Sequence, residues 1–177
     1  MAAKRVSFPS EPLTLSCVKS VFSLFKSAPK GKSAAYFSPG EDCLSAIQEC
    51  LRAAKSSLRI CVFTISDDRI TQAILAAHRK GIKIQLLTDN EKLFDKGSDI
   101  RQLAQAGIKV KVDNTTNHMH HKFVLVDNTQ VLTGSYNWTR SAALYNHENV
   151  LVTSDPQVVA GYAREFTRLW NEMTFLT

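Results

Sequence analysis

Apolar positions along this chain recur with two different periods. Leu44, Ile47, Cys50, Leu51 and Ala54 return every three or four residues, which predicts a helix to about Lys55. The turn Ser38-Pro39-Gly40-Glu41 precedes it, with Ser38 or Gly40 near the cap. Short apolar runs over 34–37, 58–65, 82–88, 108–112, 123–126, 131–133 and 148–153 predict strands. Between them fall a helix over 69–80, capped by Asp67 or Asp68 and ended by Gly81, and another ending near Ala106 before Gly107. Asp155-Pro156 opens a last helix reaching about Met173.

Strands alternating with helices indicate an α/β fold: a layered α/β/α sandwich around a mixed, largely parallel sheet. The turn Asp127-Asn128-Thr129-Gln130 joins two strands too closely for a crossover, so a local antiparallel hairpin is expected there. Residues 1–33 read as a separate lead, with a flexible start, a short amphipathic helix over 13–26 and a linker. Residues 34–177 read as the catalytic domain. Gly31-Lys32-Ser33 looks like the end of a phosphate-binding loop, but Lys26 stands where that loop needs its first glycine.

A length of 177 residues with 44% hydrophobic content suits one domain with a real core. The net charge of +6 points to polyanionic partners, nucleic acid or an anionic membrane surface. No run of about twenty apolar residues occurs, so no membrane-spanning helix is read. Cys17, Cys43, Cys50 and Cys61 show no metal-ligand spacing and read as buried thiols, with Cys43 and Cys50 facing the core from one helix. That leans towards a reducing compartment, so the expected location is cytoplasmic, with a periplasmic or membrane-associated place as alternatives.

The chemistry gathers between His120 and Glu148. His120 and Lys122 share a strand face. Ser135 and Asn137 repeat that spacing at the end of the next strand. An imidazole, an ammonium, a hydroxyl and an amide on one patch suit a phosphate. His118 and His120 could also be weighed as metal ligands, but Lys122 would repel a cation and no carboxylate stands at ligand spacing. His121 should face away and be structural. No metal or cofactor is expected.

His120-x-Lys122-x4-Asp127, followed after six residues by Gly134-Ser135-x-Asn137, resembles the HKD motif of the phospholipase D superfamily, and Glu148 fills the family's later acidic position. The resemblance covers roughly residues 34–173. It is nearest to the single-motif members, the bacterial Nuc-type endonucleases and the Zucchini/mitochondrial cardiolipin hydrolase group. It implies a sandwich fold and a metal-independent reaction through a phosphohistidine. In that reading His120 is the nucleophile, and Lys122, Ser135 and Asn137 bind the phosphate. Glu148 orients the His120 ring, and Asp127 supports the site or the turn.

Family members generally bring two motifs together, one histidine serving as general acid. One motif per chain therefore implies a homodimer with a shared site. His78-Arg79-Lys80 imitates the motif's opening, but Gln85 replaces the aspartate. The cardiolipin hydrolase group carries an N-terminal membrane segment and a zinc-binding insert near the first strand. Here residues 37–43 pass directly into the helix, which favours the Nuc-like branch. The expected function is an endonuclease on single-stranded DNA or RNA. The alternatives are a phospholipase D-type hydrolase of cardiolipin or another anionic phospholipid, and a non-catalytic nucleic-acid-binding module.

Overall fold

The structure, a computed structural model, describes residues 31–176. The expected helix over 13–26 and Cys17 lie outside them. Eight strands form one sheet in the order β1-β7-β6-β5-β2-β3-β4-β8. They are β1 Ser33–Phe37, β2 Ser57–Val62, β3 Lys83–Thr88, β4 Lys109–Val112, β5 Lys122–Val126, β6 Gln130–Gly134, β7 Asn149–Thr153 and β8 Thr174–Phe175. The helices are α1 Asp42–Ala53, α2 Asp68–Arg79, α3 Ile100–Gln105, α4 Arg140–Leu144 and α5 Pro156–Glu172.

The α/β class and the mixed sheet agree with the sequence pattern, but the balance of strand directions does not. Only β2–β3 and β3–β4 are parallel, and the other five pairings are antiparallel. Each parallel pair follows a strand–helix–strand crossover, through α2 and through α3. The β5–β6 pair is the expected hairpin. Its Asp127 and Asn128 both take positive φ (52° and 54°), and the Thr129 N–H donates to the Val126 carbonyl at 3.0 Å. That is a type I′ turn, which Asp and Asn tolerate. The β1–β7 pair joins residues 120 apart in sequence (Ser33 with Thr153), and no local pattern announces it.

Two apolar clusters lie on opposite faces of the sheet. One joins Leu58, Ile60 and Val124 to α1 and α2 through Cys43, Leu44, Ile47, Cys50 and Ile74. The other joins Phe123, Leu125 and Val131 to Val159, Phe166 and Leu169 of α5. Their strand residues alternate one by one, as side chains on a pleated strand must. Glu41, rather than Ser38 or Gly40, is the N-cap of α1. The Ser38 hydroxyl instead donates to the Asn146 carbonyl at 2.9 Å, and the Gly40 N–H to the Ala143 carbonyl at 2.9 Å. Asp67 and Asp155 cap α2 and α5 as their sequence positions indicate.

The topology brings several strand ends to one end of the sheet. Val62 of β2 pairs with Lys122 of β5, and Gly134 of β6 pairs with Val150 of β7. The ends of β2, β3 and β6 and the starts of β5 and β7 therefore meet there. Gly134 is required for this approach, because a side chain on it would run into the Asn149 carbonyl.

Candidate active site

Lys122 is the first residue of β5 and is only 7% exposed. Its ammonium donates to the His120 carbonyl at 2.8 Å and stands 3.0 Å and 3.1 Å from the two ring nitrogens of His120. Both groups lie against Phe63, which follows β2. The His120 ring is 4.5 Å from the Phe63 centroid and the Lys122 Nζ 5.2 Å. The Phe63 N–H is held by the His121 carbonyl at 2.9 Å, which fixes the aromatic ring under the pair.

This packing sets the charges. Burial lowers the His120 pKa, and the neighbouring Lys122 and His118 lower it further, against a weaker opposing effect of Asp89. This lowering favours the neutral imidazole, whose ring nitrogen can act as a nucleophile. Burial also lowers the Lys122 pKa, while Glu148 works the other way. His120 is an exposed residue beside a shielded cation.

Ser135 and Asn137 follow β6 at the same end. The Ser135 hydroxyl donates to Glu148, and the Asn149 N–H donates to the Ser135 oxygen at 3.1 Å. The Asn137 Oδ1 is buried and finds no partner among the described residues. A carboxamide so placed can reorient for a ligand without breaking an existing bond. Glu148 departs from expectation. Its carboxylate accepts from Ser135 and from Asn146 Nδ2 at 3.1 Å, and no hydrogen bond joins it to His120. Both partners lie on the β6 and β7 side, so Glu148 orients Ser135, and Lys122 is the group that meets the His120 ring.

Asp127 is not part of this cluster. It follows the other end of β5, a strand length of roughly 16 Å away. Its carboxylate accepts from the backbone N–H groups of Lys55, Ser56 and Ser57 at 2.9, 2.8 and 2.8 Å and from the Ser56 hydroxyl at 2.8 Å. Partial burial pushes its pKa up, but these four donors outweigh that and hold it down to about 2. Asp127 fastens the α1–β2 loop to the hairpin turn, away from the cluster around His120.

His121 faces the other side of the sheet, as expected, against Phe123 and 3.4 Å from Glu165 of α5. His118 Nδ1 lies 3.2 Å from Asp89, a fully buried carboxylate that follows β3. Asp89 also accepts from the Met119 N–H at 3.0 Å and the Glu91 N–H at 3.0 Å. Asp89, Glu91 and His118 offer ligand atoms within 4.8 Å of one another. The hydrogen bonds already account for both Asp89 oxygens, and their evident effect is to fix the loop carrying His120. The sequence pattern gave no prominence to Phe63 or Asp89. The available signal for Asp89 was a carboxylate at the carboxyl end of a parallel strand, a usual place for α/β sites.

Residues 47–170 match the family model described as cardiolipin synthase, PLD-like domain. The protein from Xenopus laevis called mitochondrial cardiolipin hydrolase is 38% identical over 161 residues, covering 91% of this chain and 74% of the relative. That from Chlamydomonas reinhardtii is 44% identical over 128 residues, covering 72% of this chain but only 57% of its own length. The crystal structure of Nuc, a phospholipase D family member from Salmonella typhimurium, superposes with a TM-score of 0.77 at 24% identity, covering 83% of this chain and 99% of that one.

The Nuc structure shares the fold, and the sequence relatives carry the cardiolipin hydrolase name. Those names are mitochondrial and give a cytoplasmic location no support. Among the described residues, no helix is long and apolar enough to cross a membrane. With a family match over most of its length and relatives well above 30% identity, this chain belongs to the phospholipase D-like family, beside the proteins named mitochondrial cardiolipin hydrolase.

Proposed function

We propose that residues 34–177 form a phosphodiesterase in which His120 attacks phosphorus without help from a metal. The observation that carries this reading is the His120 ring held against the buried Lys122 ammonium, which helps to lower the His120 pKa. The lone pair of His120 forms a bond to phosphorus as the P–O bond to the leaving alkoxide breaks. Lys122 and Asn137 stabilise the charge that develops on the non-bridging oxygens, and Ser135 donates to the same group. Water then attacks the phosphohistidine, the P–N bond breaks and the imidazole is restored neutral. The relatives' names, hydrolases of phosphodiesters, support this class of reaction.

The leaving alkoxide needs a proton, and one motif supplies one histidine at the site. A second copy of the chain supplies the other across a two-fold axis: the partner's His120 enters protonated, gives its proton to the alkoxide and takes one back from the attacking water. An apolar rim beside Glu148 suits that partner. Phe37 and Tyr145 are 65% and 75% exposed, and the Ser38 N–H next to Phe37 donates to the Glu148 carbonyl at 3.1 Å. Activity of co-refolded mixtures of native chain and His120→Ala should then fall with the square of the native fraction. A linear fall would mean that each chain works alone.

The substrate we favour is single-stranded DNA or RNA, cleaved within the strand. The exposed His120 and Ser135 can meet a backbone phosphate on an open surface, and the net charge of +6 attracts a polyanion. A second reading, hydrolysis of cardiolipin or another anionic phospholipid at a membrane surface, draws on the names of the relatives. The deciding experiment offers labelled single-stranded DNA, RNA and cardiolipin vesicles to the native chain and to His120→Ala in excess EDTA. Nucleic-acid cleavage that survives EDTA and vanishes in the variant is expected. Lipid cleavage alone would select the second reading. Oligonucleotide binding without turnover would make the chain a non-catalytic binding module.

A further inference from the structure

One cavity among the described residues lies at the opposite end of the strands from His120. It is an open groove of about 570 Å³ at the starts of β2, β3 and β4, on the sheet face that α5 occupies further along. Ser57, Arg59, His78, Lys83, Gln85 and Lys109 supply its polar lining. The strand register places these groups. Arg59 pairs with Gln85, Gln85 with Lys109, and Ser57 with Lys83. Arg59, Gln85 and Lys109 therefore form one cross-strand row spanning two strand spacings, roughly 10 Å, with Lys83 diagonal to it.

None of the three cations makes an ion pair within the described residues. The arrangement is unfavourable in isolation, because like charges on one face of a sheet repel. Nor does packing require it. Lys83 and Lys109 are exposed, while Lys111, two residues along β4, donates to the Trp170 carbonyl at 2.6 Å. Arg59 is held by α5, its guanidinium 5.9 Å from the Phe166 ring centre. The glycines Gly81 and Gly107 line the end of the groove and leave it unobstructed.

We propose that this groove is a second binding site, for the phosphate backbone of a single-stranded nucleic acid. Arg59, Lys83 and Lys109 hold successive phosphates, with Gln85 and Ser57 as neutral donors between them. No Phe, Tyr or Trp lines the groove, and the His78 ring is tied to the Ala106 carbonyl at 3.0 Å, so the groove grips backbone without reading sequence. A concave surface edged by three cations suits a strand better than a bilayer. The exposed aromatic side chains that a bilayer would take up, Phe37, Phe94 and Tyr145, are not among the residues lining the groove. Arg59 shares the sheet face of Cys61 and Lys122 that of Val124, so the groove and His120 lie on opposite faces. A strand held in the groove must pass round the sheet edge to reach His120, and the groove grips nucleic acid apart from the scissile phosphate.

The binding claim stands apart from the proposed reaction, and only its effect on turnover rests on that reaction. The test uses the full chain with Lys83→Glu and Lys109→Glu combined. Binding is followed by fluorescence anisotropy of a mixed-sequence oligonucleotide over a salt series, in the His120→Ala background with EDTA. Affinity should fall at least tenfold, and the slope of log affinity against log salt should flatten by about 1.4, the loss of two phosphate contacts. On the otherwise native chain, turnover of bis(p-nitrophenyl) phosphate, too short to reach the groove, should not change.

Unchanged affinity and slope would overturn the proposal. So would an equal loss of turnover on the short substrate, or a loss confined to anionic vesicles. If the native chain does not cleave the short substrate at all, the proposed reaction fails, while the anisotropy series still decides the groove.

Discussion

The two ends of β5 carry residues of one sequence signature in opposite physical states. At the start, Lys122 is buried without a carboxylate in contact, the His120 pKa is lowered, and the Asn137 Oδ1 has no partner. At the far end, Asp127 is saturated by four donors and held acidic. A motif written as one string therefore contains two devices. Polar groups left unmatched are available for a ligand, and polar groups fully matched hold the chain together.

Substitution at each end should separate these roles. Lys122→Met removes a buried cation and keeps its volume. Turnover should fall about 10²–10³-fold, as when a donor to a developing oxyanion is lost, while the thermal midpoint holds or rises. A large fall in stability with activity intact would erase the distinction. Asp127→Ala should do the reverse. Activity per folded molecule should persist, and chemical denaturation should show a loss of about 1–3 kcal/mol from unmatched backbone N–H groups.

The Asp127 contribution also carries a pH signature. Its folded pKa lies below the ordinary carboxyl value of 3.8, so its stabilisation is complete above that value and is lost as pH falls towards about 2. The difference in stability between the native chain and Asp127→Asn should narrow over that window. At the other end, His120 must be neutral to attack, and its pKa is lowered. The acid limb of kcat/KM should fall below the ordinary imidazole value of about 6.5 and move upward in Lys122→Met. An acid limb at or above 6.5 in the native chain would contradict the inferred electrostatics.

Much of this was legible in the sequence because it is local. The apolar run over 123–126 and the Asp127-Asn128 turn specify the hairpin, and the spacing of Cys43, Ile47, Cys50 and Leu51 specifies α1. Less local features were not. Alternating elements suggested parallel crossovers, whereas β1 and β7 are joined across the whole domain. The five-residue α4 and two-residue β8 are too short for a periodic signal. Phe63 gave no sign of lying beneath His120, because a single aromatic after an apolar strand looks like core. Spacing placed Glu148 at the site but could not tell that Ser135 and Asn146 would take its carboxylate.

The covalent role of His120 is most directly tested by the stereochemical course at phosphorus. A substrate with an isotopically chiral phosphodiester would be cleaved in EDTA and its product configuration determined. Attack by His120 followed by water is two in-line displacements, so retention is expected. Inversion would mean that water attacks phosphorus directly, and that His120 is not the nucleophile.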